Sequence, residues 1–314
     1  MSGVAYVFPG QGSQRVGMGR ALASAFPEAR AVFEEADDTL GFSLSELCFE
    51  GPEDELQLTA NTQPAIVAMS VAVLRCYLAQ DPGPAAPAFV AGHSLGEYSA
   101  LVAAGSLELA DALRLVRARG QAMQQAVPVG EGGMAAILGL SEEDTAAVAA
   151  QATNDTGGVC QLANLNAPGQ IVIAGAAGAV DRAVELAAER GARRAIPLPV
   201  SAPFHCALMA PARAAMEPLI RDVPMADPEV PVVCNVDAGE VTTAAAARDA
   251  LVRQIDGAVR WSESVALMAS RGVERLVEIG PGKVLSGLGR RIERSLKVRA
   301  IAEPEDLAAG GSST

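Results

Sequence analysis

Aromatic side chains are scarce, at 4% of 314 residues, and histidines number only two. With half the residues hydrophobic, the core must be aliphatic and alanine-rich, ample for one large domain or a large one with a smaller companion. Two histidines give no cluster for a metal, and neither a metal nor another cofactor is expected. The five cysteines (Cys48, Cys76, Cys160, Cys206, Cys234) are scattered with no Cys-x-x-Cys pair, and read as reduced core residues rather than a disulfide framework. Bases are outnumbered 24 to 37, for a net charge of −13. That balance argues against nucleic acid or an anionic membrane as partner, though a local basic patch can exist inside an acidic protein. No apolar run reaches about 18 residues. The start "MSGVAYVFPG" also lacks the basic beginning and long apolar stretch of a signal peptide. A cytoplasmic protein is expected.

Along the chain, "VAYVFPG" reads as a short buried strand ended by Pro9 and Gly10, followed by a helical stretch over about 19–39. "PAIVAMSVAVLRCYLAQ" reads as a buried helix, "DPGPAAPA" as a breaker-rich loop and "AFVAG" as a second strand. Helices follow over about 95–103 and 109–127. The middle then runs strand ("GGMAAILGL"), helix opened by capping Ser141, two strands ("VCQLANLNA", "QIVIAG"), helix ("AVDRAVELAAERG") and strand ("RRAIPLPV"). This β-α-β-β-α-β order is that of a ferredoxin-like unit, placed at 129–199 and inserted in a larger α/β domain made of 1–128 and 200–314. The chain returns through "VPVVCNVDA" (strand), helices over about 244–255 and in "SESVALMASRG", "RLVEIGPG" (strand) and a final helix from about 284. The tail "EPEDLAAGGSST" is expected to be disordered.

One serine stands between two glycines in "VAGHSLGEYSAL", after a strand and before a helix. In a nucleophile elbow, such a tight turn exposes the serine oxygen, and the small flanking residues admit a neighbouring strand. Ser94 is therefore a candidate nucleophile, with the plain N-cap as its alternative. The Leu95 N–H, at the helix start, can donate to an oxyanion. A serine needs a base. His93 is adjacent on a sharp turn and tends to point away, which leaves His205 in "SAPFHCALM". No acid stands out as a third member, so a Ser–His dyad oriented by backbone carbonyls is as plausible as a triad. "FPGQGSQRVGMG" lacks phosphate-loop spacing, and can either bring a Gln11 N–H to an oxyanion or be a surface turn. In the helix "LELADALRLVRARGQAMQQAV", Arg117 and Arg119 flank the apolar stripe at roughly 75–85° on either side, and periodicity cannot choose between them.

Taken together, "FPGQGSQ", "TQPAIVAMS", "GHSLGEYSALVAAG", "RGQAMQQAVP", "NAPGQIVIAG", "LPVSAPFHCALM", "NVDA", "RDALVRQ" and "EIGPGKVLSGL" resemble, in order and over nearly the whole chain, the malonyl-CoA:acyl carrier protein transacylase family. The resemblance implies an α/β-hydrolase-like core with a ferredoxin-like insertion. It also implies a ping-pong transfer of malonyl from CoA to the phosphopantetheine thiol of an acyl carrier protein, with coenzyme A thioester as substrate rather than cofactor. Ser94 would carry the malonyl ester, His205 would move its proton, and the N–H groups of Gln11 and Leu95 would form the oxyanion hole. The "RGxxMQ" motif selects Arg119 for the malonyl carboxylate. Gln63 would line the same pocket, and Gln254 would orient His205 through its carbonyl. Asn164 and Asn166 would stand near the cleft, and they are counted, with Gln254, His93 and Phe204, among the substrate-binding residues. Phe204 would crowd a substituent on the malonyl α-carbon, favouring malonyl over methylmalonyl. A monomer with transient carrier docking is expected. Its densest basic stretches are Arg193–Arg194 and "RRIERSLKVR", each with a solvated face as the alternative. A trans-acting acyltransferase for a polyketide synthase would share every motif, and an esterase or thioesterase could use the same serine and histidine.

Overall fold

The structure, a computed structural model, describes residues 3–80, 85–200 and 202–308. It is built on two sheets. The larger contains β1 (Gly3–Phe8), β2 (Phe89–Gly92), β7 (Val232–Val233), β8 (Glu240–Val241), β9 (Val273–Ile279) and β10 (Lys297–Ile301), in the order β10-β9-β1-β2-β7-β8. All neighbours are parallel except the edge pair β7–β8. A parallel sheet needs both faces covered, which is why β1 and β2 read as unbroken apolar runs and are buried almost throughout. The helix Thr59–Leu78 is buried nearly all round, and Leu109–Gln125 buries one stripe.

The smaller sheet holds β3 (Gly132–Leu138), β4 (Cys160–Ala167), β5 (Gln170–Ala176) and β6 (Arg194–Pro197), ordered β4-β5-β3-β6 and antiparallel throughout. With the helices Glu142–Thr156 and Ala177–Glu189 this is the ferredoxin-like arrangement. Ser141 caps the first helix, its Oγ accepting from the Asp144 N–H at 3.0 Å. Two backbone bonds fasten the small sheet to the large unit: Leu165 N–H to Val259 O and Val259 N–H to Ala163 O, both 2.8 Å.

Register positions the chemistry. Phe8 pairs with Gly92, and Ala91 pairs with Val233. The turns after β1, β2 and β7 therefore leave the sheet side by side at its carboxyl edge, where open α/β sheets bind ligands.

Several elements depart from the sequence expectation. The stretch 19–39 is two helices, Arg20–Ala25 and Pro27–Leu40, because Pro27 forces Phe26 into an extended conformation and starts a new helix. "VPVVCNVDA" contributes only Val232–Val233: the Cys234 N–H donates to Gly239 O, and Asn235 turns to serve the neighbouring elbow. The tail is not structureless up to residue 308: Pro304–Ala308 is a helix with Leu307 buried, and Asp306 Oδ2 accepts from the Ala302 and Glu303 N–H groups at 3.0 Å. Its residues 309–314, like 81–84 of the expected loop and the first two residues of the chain, lie outside the described part. "RRIERSLKVR" is not one surface element. Arg290 and Arg291 end a helix, Lys297 and Arg299 lie on β10, and Arg299 is drawn inward against the Asp306 carbonyl and the Tyr77 ring. No helix among the described residues is long and apolar enough to cross a membrane.

Candidate active site

The elbow depends on its two glycines. A Cβ on Gly92 would fall 1.9 Å from the backbone carbonyl of Gly96, and one on Gly96 would fall 2.3 Å from Phe8 O. Neither position can hold a side chain without moving backbone. Gly96→Ala is expected to destabilise the fold by about 1–3 kcal/mol and to slow acylation of the enzyme by shifting the turn. Urea denaturation alongside an acylation rate checks both effects.

Between these glycines Ser94 has φ 52°, in the left-handed region that costs a non-glycine residue roughly 1–3 kcal/mol. Side chains from distant segments clamp the strained residue. Its N–H donates to Asn235 Oδ1 at 2.7 Å, and its carbonyl accepts from Gln254 Nε2 at 2.9 Å. The Asn235 Nδ2 also donates to Gly92 O at 2.7 Å, so one amide spans the turn.

Ser94 Oγ lies 2.7 Å from His205 Nε2. On the other side of the ring, Nδ1 lies 3.0 Å from Gln254 O and 3.1 Å from Gly257 O. Carbonyls only accept, so Nδ1 carries the proton and Nε2 presents a lone pair to the serine hydroxyl. Burial, reinforced by the nearby Arg119 charge, pushes the His205 pKa down to about 3. The imidazole is therefore neutral, the form a base needs.

Arg119 is 1% exposed and its Nη2 donates to Ser94 Oγ at 3.1 Å and to Gln254 Oε1 at 2.9 Å. Nη1 donates to Gln63 Oε1 at 2.8 Å, while Nε–H finds no partner among the described residues. No carboxylate there pairs with this guanidinium within 4.0 Å. Arg117 points elsewhere: it donates to Ala60 O at 2.9 Å and to Asn61 Oδ1, and packs 4.8 Å over the Phe42 ring.

These groups open into a cavity of about 710 Å³. Gln11, Gln63, His93, Ser94, Leu95, Arg119, Asn164, Phe204 and His205 all line it. The register of β1 with β2 brings Gln11 here, and its Nε2 is tied to Thr59 Oγ1 at 3.3 Å. Two residues assigned to substrate contact from the sequence stand behind the wall instead. Asn166 holds His93, whose Nε2 is 2.8 Å from Asn166 Oδ1, and Gln254 is fully buried. Gln254 nonetheless touches Ser94, His205 and Arg119 at once. Sequence reasoning missed Asn235 and Glu97. It also missed the apolar wall of Met123, Met134, Leu198 and Val200. Met123, Leu198 and Val200 lie inside motifs quoted above, but nothing in their spacing marks them as lining a cleft.

Comparison with known proteins agrees with this geometry. Residues 5–305 match the family described as acyl transferase domain. The malonyl CoA-acyl carrier protein transacylase of Bacillus subtilis (strain 168) is 50% identical over 307 residues, covering 98% of this chain and 96% of that one. The crystal structure of an acyl carrier protein S-malonyltransferase from Vibrio cholerae superposes with a TM-score of 0.94 at 48% identity, covering 98% of this chain and 99% of that one. A malonyl-transacylase solved in complex with its type II PKS acyl-carrier protein superposes equally well, with a TM-score of 0.94 at 46% identity and 98% coverage of both chains. The chain belongs to the acyl transferase family, in the group of the malonyl CoA-acyl carrier protein transacylases.

Proposed function

We propose that this protein transfers the malonyl group from malonyl-CoA to the phosphopantetheine thiol of an acyl carrier protein, through an ester on Ser94. The observation that carries the reading is Arg119, a buried cation 3.1 Å from the serine oxygen with its Nε–H unpaired among the described residues. A hydroxyl nucleophile alone serves any ester. A buried guanidinium beside it selects an acyl group with its own carboxylate, which is what separates malonyl from acetyl.

In the first half-reaction Ser94 Oγ attacks the thioester carbonyl as its proton passes to His205 Nε2. The C–S bond breaks, and the imidazolium returns that proton to the departing CoA thiolate. Gln254 O and Gly257 O hold the ring and stabilise its positive form. The N–H groups of Leu95, where the helix Gly96–Ala103 begins, and of Gln11 supply the oxyanion hole. The carrier thiol then runs the sequence in reverse. Phe204 on the cavity wall supports malonyl over a branched acyl group. The extender unit serves fatty acid synthesis. Because one similar structure holds a type II PKS acyl-carrier protein, a polyketide carrier is the second reading.

Partition of the isolated malonyl-enzyme tests transfer against hydrolysis. With a phosphopantetheinylated acyl carrier protein, the malonyl mass is expected to move to the carrier far faster than free malonate appears. Malonate release at the same rate with and without carrier would make the protein a hydrolase.

A further inference from the structure

Beneath the elbow lies a carboxylate that the mechanism above does not use. Glu97 lies in the first turn of the helix Gly96–Ala103 and is 2% exposed. Its Oε2 accepts from the Asn235 N–H at 2.9 Å and from Gln254 Nε2 at 3.0 Å. Those are the two residues that clamp Ser94, and Gln254 also contacts His205 and Arg119.

We infer that Glu97 is a positioning residue for the malonyl site, ordering Asn235 and Gln254 from below and surrendering its share of the Arg119 charge to the incoming malonyl carboxylate. The inference rests on the malonyl-transfer reading. With the site empty, Glu97 behind the pocket and Arg119 in it are a buried carboxyl and a buried cation linked through Gln254 rather than by direct contact. A malonyl carboxylate brings a second anion to one cation. Two anions sharing a dry pocket raise each other's proton affinity, and the acid already held by desolvation is the one that gives way. Burial puts Glu97 at about 7, so it can take up a proton as malonyl enters. Acetyl carries no charge and calls for none.

The other groups facing Glu97 do not titrate in the same window. Tyr98, on its own helix, is pushed up to about 12, and burial also raises the Cys234 thiol. Asp237, beyond β7, is held low by its bonds to Arg253. Arg119, on Leu109–Gln125, stays charged.

Acylation rates of the full chain with malonyl-CoA and acetyl-CoA, measured from about pH 6 to about pH 8, test this directly. In the unmodified protein the malonyl-to-acetyl rate ratio should fall as pH rises through the Glu97 titration. The fall is up to about tenfold for each unit by which malonyl raises the Glu97 pKa. Glu97→Gln keeps an oxygen for both donors but no charge, and its ratio should be flat. A pH-indicator dye in weak buffer should report proton uptake on mixing the unmodified protein with malonyl-CoA and none with acetyl-CoA, a readout independent of any variant. A flat ratio or no uptake in the unmodified protein, or the same slope in Glu97→Gln, would overturn the role of Glu97 and leave malonyl transfer standing. An unmodified protein that never accepts malonyl would overturn both.

Discussion

Ser94→Ala is expected to form no malonyl-enzyme, and His205→Ala to form it at least about 10²-fold more slowly than the unmodified protein. The two side chains meet at 2.7 Å, and the other histidine of the chain, His93, is engaged with Asn166. Groups that act as one unit do not lose activity additively, so the double variant should be no worse than Ser94→Ala alone. The orientation of His205 rests on two backbone carbonyls, so no single acidic substitution nearby should reproduce the His205 loss. Single-turnover acylation by stopped flow or rapid quench separates these cases. A Ser94→Ala protein that still gained the malonyl group would remove the serine from the mechanism.

Arg119→Ala should cut malonyl transfer by roughly 10²–10³-fold while acetyl transfer stays the same or improves. A malonyl carboxylate buried without its arginine is an unpaired charge costing about 3–5 kcal/mol, whereas acetyl has nothing to lose. Lysine at this position should rescue only in part, because an ammonium cannot reproduce the planar fork that reaches Gln63, Gln254 and Ser94 together. Arg117→Ala should leave the malonyl preference intact, since that side chain ends on Ala60, Asn61 and Phe42. Values of kcat/KM for both thioesters in the two alanine variants decide it. Collapse of the preference in Arg117→Ala, with survival in Arg119→Ala, would reverse the assignment.

The strands at the heart of the large sheet and the elbow are legible because their signals are local. An apolar run, two glycines and a helix start lie within about a dozen residues around Ser94. The choice between Arg117 and Arg119 is not local. Both flank the same stripe, and only the packing of Leu109–Gln125 against the rest of the fold turns one inward. Asn235 and Glu97 were invisible for a related reason. Their partners are backbone groups and amides 138 to 157 residues away, and an acid in a first helical turn ordinarily reads as a solvated partner of the helix dipole. The short β7 shows the cost of reading apolar runs alone. Val232 and Val233 pair as a strand, and two residues on, Asn235 turns to the elbow instead.

The central claim is that a malonyl group rests on Ser94 between two half-reactions, and peptide mapping of the acylated enzyme tests it most directly. After brief mixing with malonyl-CoA, acid quench and proteolysis, mass spectrometry should place one malonyl group on the peptide carrying Ser94. That adduct should disappear when a phosphopantetheinylated carrier is added before the quench. A malonyl group found on any other residue, or malonyl-carrier product formed while the Ser94 peptide stays unmodified at every time point, would contradict it.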